Sequence, residues 1–574
     1  MDKSIKKNYI FNMIYQIILI IVPFLVTPYL SKTLQPDGIG QNSFTNSLIS
    51  YFTLFATFGF DSYATREIAK LRSNPEKQNK FFWEIIFCRL ITVSISLVVN
   101  IVLLVCGVYG KNTILMLIMT INIISIAFDI GFYFQGNEEF GKIVLKSLII
   151  KVFYTISIFV FVKQQSDLWK YVLLGSISTF LNATALWFTI RKKVKKPNFK
   201  ELKPQRHFKY ALALFIPAVA ANIYSVLGKT LIGVILDDKI ADTQNGYFEQ
   251  MDKIFRICVT LVTCLGSVMN SRNSNEISKG NHECVKNNIY MAFNFIWVLT
   301  FPITFGLIAV ANNFVPWFLG EAFIPAIPIL YILACTIPIM GMSNIFGTQY
   351  LVPYGRDKNY TISIITGMFI SIASNLVLIY FFKAVGASIA TLISEFTVAF
   401  MMFLFLKNEL SFKKMFGTML KPFISAVIMF LIVGFISKKF TPTIIHTIIL
   451  ILIGIFTYFA MLFILREKLM ILTLKSIKDK FTKKKLAKTT PNFSENSNGD
   501  KESLSSEKTE DFVNSTNTKN KNDGSSQTQI CNDTQNNPEN DANPLIDTIE
   551  KIESKVIDIA ENDDNISENE DNKE

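Results

Sequence analysis

Four basic side chains lie deep inside long apolar stretches, where a charge is costly. They are Arg89, Lys151, Lys229 and Arg256. An ionisable residue at that depth normally faces a cavity or an opposite charge. Lysine binds phosphate as a point charge and arginine through paired hydrogen bonds, so cations from four helices would suit an anionic ligand. Internal ion pairing is the alternative, and Arg256 follows Asp252 by the four residues that favour a local pair.

Acidic side chains in the same stretches divide into two groups. Asp61, Glu84 and Asp129 lie near the ends of their apolar stretches, and with Arg66 they are predicted to form a gating or structural ion network. Glu395 lies about halfway along its stretch and is the candidate site for a coupling cation or proton. A packed, hydrogen-bonded carboxyl is the alternative for Glu395. No metal site or cofactor is predicted beyond a coupling Na⁺ or H⁺.

The elements that must position these residues are apolar runs of about 20 residues, long enough to cross the hydrocarbon core as helices. Stretch 42–63 starts with polar residues and 323–346 contains three prolines, so either could be a bent or broken helix. Pro23, Pro28 and Pro217 are also expected to bend their helices. Fourteen spans are predicted: 10–31, 42–63, 83–107, 113–135, 143–162, 168–190, 210–236, 247–269, 289–310, 323–346, 360–382, 384–406, 419–437 and 444–465.

The orientation follows from the distribution of Lys and Arg among the short breaks. The break 191–209 is the most basic, whereas the break 237–246 carries three aspartates. Because basic loops stay on the cytoplasmic side, both termini are predicted to be cytoplasmic in a multi-pass protein of the cytoplasmic membrane. The net charge of +12 reflects this asymmetry, so no nucleic-acid partner is expected.

The breaks also predict the domain organisation. The basic linker 191–209 separates residues 1–190 from residues 210–406, giving two parallel six-helix lobes. Parallel repeats of this kind permit alternating access around a midplane site. Residues 407–465 add helices 13 and 14.

The remaining chain changes composition twice. Residues 466–493 are basic and should lie against anionic headgroups, whereas residues 494–574 are acidic and polar and should be disordered. Within this tail one apolar seam has alternating spacings of four and three residues, formed by Leu545, Ile549, Ile552, Val556 and Ile559. The seam predicts a transient helix, or a docking segment for a protein partner or a second copy.

Several motifs resemble one known family. The start contains Asn12, Gln16, Pro23, Pro28-Tyr29-Leu30-Ser31, Leu34, Gly38, Gly40, Tyr51, Gly59 and Tyr63-Ala64-Thr65-Arg66-Glu67-Ile68-Ala69. The second half adds Gly246-Tyr247, Phe301-Pro302-Ile303, Gly306, Pro316-Trp317-Phe318-Leu319-Gly320, Gln349-Tyr350-Leu351 and Gly386-Ala387-Ser388-Ile389-Ala390-Thr391. Residues 1–465 resemble the polysaccharide (O-antigen, teichoic and capsular) flippases of the multidrug/oligosaccharidyl-lipid/polysaccharide exporter superfamily. The family usually has a Gly where this chain has Gln35, and a Pro-Arg pair where it has Ser271-Arg272.

The resemblance implies two six-helix lobes around a cavity and a passenger of the polyprenyl-pyrophosphate-linked glycan class. The expected function is a flippase that moves undecaprenyl-pyrophosphate-linked oligosaccharide across the membrane without a covalent step, so no enzyme activity is expected. A drug or cation antiporter of the same superfamily would need an acid-dominated cavity instead. A lipid II flippase is disfavoured because the arginine-rich first helix is absent. A membrane glycan polymerase would need a large outer loop, and a scaffold would not explain charges within the spans.

Overall fold

The computed structural model describes residues 3–191, 193–195 and 202–467, and the regular elements in these ranges are all helical. The rest of the predicted basic segment 466–493 beyond Glu467, and the acidic tail 494–574 with its apolar seam, lie outside the described residues. The helices are α1 (Lys3–Thr57), α2 (Phe60–Lys70), α3 (Pro75–Val105), α4 (Thr113–Phe128), α5 (Gly131–Gly136), α6 (Phe140–Phe161), α7 (Leu168–Thr184), α8 (Trp187–Ile190), α9 (Gln205–Ile235), α10 (Asp238–Ser278), α11 (His282–Leu319), α12 (Ile327–Asn344), α13 (Asp357–Leu406), α14 (Phe412–Phe416), α15 (Leu420–Ser437) and α16 (Ile444–Ile464).

Helices dominate because a lipid core offers no water to satisfy backbone N–H and C=O groups. Eleven helical stretches in the described ranges are long and apolar enough to cross a membrane. The chain is therefore an all-helical polytopic membrane protein, as predicted. The count of fourteen spans stays a prediction, as does the division into two six-helix lobes. Helix α9 begins at Gln205, so the last five residues of the predicted linker 191–209 are helical.

Two of the long helices are broken, and each contains two predicted spans. The backbone leaves helical geometry at Gln35 in α1 (φ 57°, ψ 173°) and at Lys383 in α13 (φ 54°, ψ −132°). Pro23 and Pro28, which were expected to bend the helix, lie within continuous helix, and the backbone break in α1 comes later, at Gln35.

Both spans that were expected to be irregular are irregular. The prediction of 42–63 as one span was too long, because Phe58 and Gly59 have φ of 46° and 73° and end the helix before Phe60. The predicted span 323–346 begins within a 3₁₀ turn at Glu321–Ala326 and ends within a π-helical segment at Ile345–Leu351.

Helices α1 and α10 approach so closely that only glycine fits at their crossing. A Cβ atom on Gly40 would lie 1.6 Å from the Asp242 carbonyl oxygen, and one on Gly246 would lie 2.0 Å from the Pro36 carbonyl oxygen. Backbone therefore packs directly on backbone at this end of the two helices.

The last two long helices, α15 and α16, are attached to α11. The Trp297 indole donates to the Met415 carbonyl just before α15, at 2.9 Å. On α16, the Tyr458 hydroxyl donates to the Val298 carbonyl at 2.7 Å, and the Thr447 hydroxyl accepts from the Trp317 indole at 2.7 Å. These bonds hold the C-terminal helices beside α11 and away from the α1–α10 crossing.

The break in α1 predicts a stabilising substitution. Gln35 has a backbone conformation that is nearly restricted to glycine and costs about 1–3 kcal/mol for other residues. We expect Gln35→Gly to raise the melting temperature of the purified protein in detergent. Lys32→Gly, three residues earlier in regular helix, should lower it, because glycine there costs about 1 kcal/mol. A lower melting temperature for both variants would contradict the assigned backbone geometry.

The close approach of α1 and α10 predicts that one added methyl group destabilises the protein. Gly40→Ala should destabilise the protein by about 1–3 kcal/mol, as overpacking does, since the clash is with backbone. The control is Gly434→Ala in α15, where an added Cβ meets nothing within 4 Å. Thermal unfolding of both variants side by side is the measurement. Equal stability of the two would show that α1 and α10 are not in backbone contact.

Candidate functional site

One face of α10 carries four charged side chains inside its apolar stretch. Glu249, Asp252, Lys253 and Arg256 follow one another at intervals of three, one and three residues, which places them on one side of a helix. The spacing was visible in the sequence, but the prediction named only Arg256 as a ligand and Asp252 as its partner. We refer to these four residues as the α10 charge stripe.

Lys229 on α9 is paired with the acids of this stripe. Its ammonium lies 2.7 Å from the Glu249 carboxylate and 3.0 Å from the Asp252 carboxylate. Ser43 on α1 also donates to Glu249, at 2.8 Å. The lysine side chain is only 15% exposed and Asp252 only 4%. Lys229 thus joins α9 to α10 and does not line the cavity described below.

Arg256 and Lys253 remain more accessible. Arg256 donates to Asp252 at 2.9 Å, which is the local pair that the spacing predicted, yet half of its side chain is exposed. Lys253 lies 3.2 Å from Glu249 and is also partly exposed. Across Lys229 and the stripe, three cations meet two carboxylates, and Arg256 also interacts with the carboxyl of Glu395 on α13.

A cavity of about 380 Å³ lies against Lys253 and Arg256. Its lining includes the basic side chains Lys151, Lys253 and Arg256, together with Tyr154 and Tyr171. The apolar part of the lining comes from α1, α10 and α11: Phe24, Val26, Leu30, Ile254, Ile257 and Phe318. None of the described residues that line the cavity is acidic. The cavity therefore suits an amphiphile with an anionic head.

Gln250 adds an unpartnered polar group to the same lining. It is fully buried, and neither its amide nitrogen nor its amide oxygen has a hydrogen-bond partner among the described residues. Buried amide groups in folded proteins are almost always hydrogen-bonded. Because Gln250 lines the cavity, its amide is available to a polar ligand.

Glu395 lies next to this region, on α13. Its side chain is only 7% exposed, and the Arg256 guanidinium is a charged group near its carboxyl. Arg256 thus interacts with both Asp252 and Glu395. The proposed coupling role of Glu395 stays a prediction.

Arg89 belongs to a different cluster. The fully buried guanidinium donates to the Asp61 carboxylate and to the Asp129 carbonyl oxygen, and it lies 4.9 Å from the centre of the Phe132 ring. The Asp129 carboxylate itself accepts from the backbone N–H of Gly131, at 2.8 Å. Arg89 is therefore occupied in a structural ion cluster and, unlike Lys151 and Arg256, does not reach the cavity.

Glu84 forms the centre of a second cluster, between α3 and the start of α9. Its carboxylate accepts from the Arg206 guanidinium at 2.6 Å and from the Lys203 backbone N–H at 2.9 Å, and it lies 2.8 Å from His207 Nε2. Arg66 is exposed and pairs with no acid among the described residues. The single network predicted for Asp61, Glu84, Asp129 and Arg66 is thus two separate clusters, and Arg66 is in neither. His207 and Arg206 were not predicted, because they come from the linker end of α9.

Comparison with known proteins finds similarity to polysaccharide biosynthesis proteins and to transporters. Residues 5–269 match the family described as polysaccharide biosynthesis protein. The chain is 24% identical over 414 residues to a protein of Escherichia coli K12 named "Putative O-antigen transporter", covering 71% of this chain and 97% of that protein. A Shigella dysenteriae protein of the same name is 23% identical and is covered over 94% of its length. The resemblance to the polysaccharide flippases is thereby confirmed.

Solved structures show the same fold. The lipid II flippase MurJ in an inward closed conformation superposes with a TM-score of 0.66 at 17% identity, covering 80% of this chain and 99% of that chain. An inward-facing multidrug transporter of the MATE family superposes with a TM-score of 0.51 at 14% identity, covering 68% and 97%. Both are transporters of the MOP superfamily.

The pairing of Lys229 predicts a loss of stability rather than a selective loss of binding. Lys229→Ala would leave Glu249 and Asp252 without their shared cation, and breaking a buried pair in this way costs about 3–5 kcal/mol. Lys253→Ala, which removes a more exposed partner of Glu249, should cost no more than about 1 kcal/mol. Melting temperatures in detergent measure both. A stable Lys229→Ala protein would mean that the lysine is held for a ligand instead.

Proposed function

We propose that this chain is a flippase that moves undecaprenyl-pyrophosphate-linked oligosaccharide repeat units from the inner to the outer leaflet of the cytoplasmic membrane, for cell-surface polysaccharide biosynthesis. The family match over residues 5–269 supports a role in polysaccharide biosynthesis. The observation that carries the proposal is the amphipathic cavity, whose lining combines three cations with apolar side chains. Both termini are placed in the cytoplasm in this proposal.

The cavity chemistry fits the head of such a lipid. Lys151, Lys253 and Arg256 would bind the pyrophosphate oxygens through charge-assisted hydrogen bonds, and the Gln250 amide would bind a further oxygen. The apolar part of the lining, which includes Phe318, would face the first units of the polyprenyl chain. A volume of about 380 Å³ is near the lower end of ligand pockets, so the cavity holds the head and must widen to admit the glycan.

Alternating access requires that each end of the helix assembly can close. At one end, α1 and α10 cross at Gly40 and Gly246, and Lys111 lies 2.8 Å from Asp242. Near the start of α9, the Glu84 cluster joins α3 to α9. Helix α9 has 31 residues and is about 46 Å long, so its two ends lie on opposite sides of the hydrocarbon core. In the proposed cycle these two sets of contacts break in turn, with two six-helix lobes rocking around the head.

A drug or cation antiporter is the main rival function. Such a protein needs a carboxylate in the cavity wall to bind its cation. The acids near the cavity here are Glu249, Asp252 and Glu395, and each interacts with a basic residue. In the proposed cycle Glu395 serves as the coupling site for Na⁺ or H⁺, with the lipid head as the cargo.

Transport should depend on the cations of the cavity wall. We expect Lys151→Gln combined with Lys253→Gln to slow flipping at least tenfold, because each hydrogen bond to a charged group contributes about 1.5–3 kcal/mol. The measurement uses the full-length protein in proteoliposomes with a fluorescent undecaprenyl-pyrophosphate-linked oligosaccharide. The readout is the fraction of glycan that an impermeant oxidant reaches.

Two controls make the result specific. Lys438→Gln, an exposed lysine at the end of α15, changes the same charge outside the cavity and should leave the rate unchanged. Wild-type protein should not move a hydrophobic cationic dye. Dye transport without glycolipid flipping would support the antiporter and contradict this proposal. A double variant that flips at the wild-type rate would show that the cavity does not bind the lipid head.

A further inference from the structure

A second pocket, of about 650 Å³, lies outside the cavity of the α10 charge stripe. Its lining comes from α2, from the first turns of α3 and from the first turns of α9. The residues that matter for its chemistry are Tyr63, Lys77, Lys80, Arg206, His207 and Tyr210. The two pockets share no lining residue. We call this second pocket the α2–α3–α9 pocket.

Aromatic rings form a fixed surface inside it. The rings of Tyr63 and Tyr210 are nearly parallel, with an interplanar angle of 11° and centroids 5.9 Å apart. Phe81 packs edge-on against Tyr63 at 5.8 Å and against the His207 ring at 5.1 Å. Tyr210 is 59% exposed, so one ring of this surface is open to a ligand. Tyrosine rings of this kind offer an apolar face together with a polar hydroxyl.

Hydrogen bonds at the Tyr63 hydroxyl and the His207 ring hold this surface in place. The Tyr63 hydroxyl lies 2.9 Å from His207 Nδ1, and the other nitrogen of that ring lies 2.8 Å from Glu84. Burial, followed by the nearby Glu67 carboxylate, raises the pKa of Tyr63 to about 12. The hydroxyl is therefore protonated at neutral pH, and it places no negative charge in the pocket.

The rim of the pocket is cationic. Lys77 and Lys80 pair with no acid among the described residues, although both line the pocket. The acid that does line it, Glu67, lies 2.6 Å from the ammonium of Lys70. Two unpaired lysines beside a tyrosine surface match a ligand that combines an anionic group with a flat, partly apolar ring.

We propose that the α2–α3–α9 pocket binds an acidic sugar, a pyranose ring that carries a phosphate or a carboxylate. The ring would pack with its C–H face on Tyr210, and the anionic group would lie between Lys77 and Lys80. This inference rests on the proposed function, in which the sugar belongs to the glycan waiting on the side of the membrane where α9 begins. Because α2, α3 and α9 all line the pocket, a bound sugar would also connect the helices that meet around Glu84.

The test is a binding measurement that does not depend on transport. Full-length protein in phosphatidylcholine nanodiscs is titrated with glucose 1-phosphate, glucuronic acid, glucose and glycerol 1-phosphate, and binding is followed by saturation-transfer NMR. Binding of inorganic phosphate, which has no carbon-bound hydrogen, is measured by its competition with glucose 1-phosphate. We expect saturable binding of the two acidic sugars, with glucose and inorganic phosphate each at least tenfold weaker. Lys77→Gln combined with Lys80→Gln, and separately Tyr210→Ala, should each weaken acidic-sugar binding at least tenfold.

Lys209→Gln is the matched control, since Lys209 is an exposed lysine beside Tyr210 that does not line the pocket. It should bind like wild type, and melting temperatures exclude misfolding of the other variants. Equal binding of inorganic phosphate would reduce the pocket to an anion site, and tighter binding of glycerol 1-phosphate would make it a phospholipid site. Either result, or no saturable binding, overturns the inference. Acidic-sugar binding by a protein that flips no glycolipid would overturn the proposed function alone.

Discussion

The structure depends on one constraint, which is that a charge within the apolar helices must be neutralised. Lys229 neutralises the carboxylates of Glu249 and Asp252, and Ser43 on α1 donates a hydrogen bond to Glu249. An unpaired ion in such surroundings costs several kcal/mol, so these contacts fix α1, α9 and α10 relative to one another. Three basic side chains nevertheless line the cavity. Its positive charge comes from Arg256 and Lys253, which share acids already bound to Lys229, and from Lys151, which is supplied by another helix.

The contacts at the two ends of α9 differ in physical kind. At the α1–α10 crossing, glycine backbones touch and no charged ligand can compete with that packing. Around Glu84 the contacts are ionic, and Arg206 is 54% exposed. A ligand shifts an equilibrium only through its different affinity for the two states. An anion therefore has a direct means of opening or holding the Glu84 end. At the other end it could act only on the Lys111–Asp242 pair, since the glycine packing itself responds only when the helices move.

The sequence was sufficient for the class of fold because long apolar runs leave few alternatives to membrane helices. It was insufficient for the ion partners, since pairing depends on which helices are neighbours. Arg89 has Glu84 five residues before it, yet its partner is Asp61, on a different helix. The α10 charge stripe could have been found, because intervals of three and four residues within a span define one helix face. The helix breaks could not be placed by prolines alone: continuous helix passes through Pro23 and ends at Gln35.

Both broken helices contact the same short segment of α10. Gly246 packs on the Pro36 carbonyl just after the first break, and the Gln244 side chain accepts from the Ala384 N–H just after the second, at 3.3 Å. The α10 charge stripe begins at Glu249, within one helical turn of Gly246. A rotation of α10 that re-pairs the stripe with an anion must therefore move both breaks. Non-glycine residues with positive φ at such points store backbone strain of about 1–3 kcal/mol, which is small enough for ligand binding to release or restore. The cavity and the helix breaks are thus connected through the contacts of one helix.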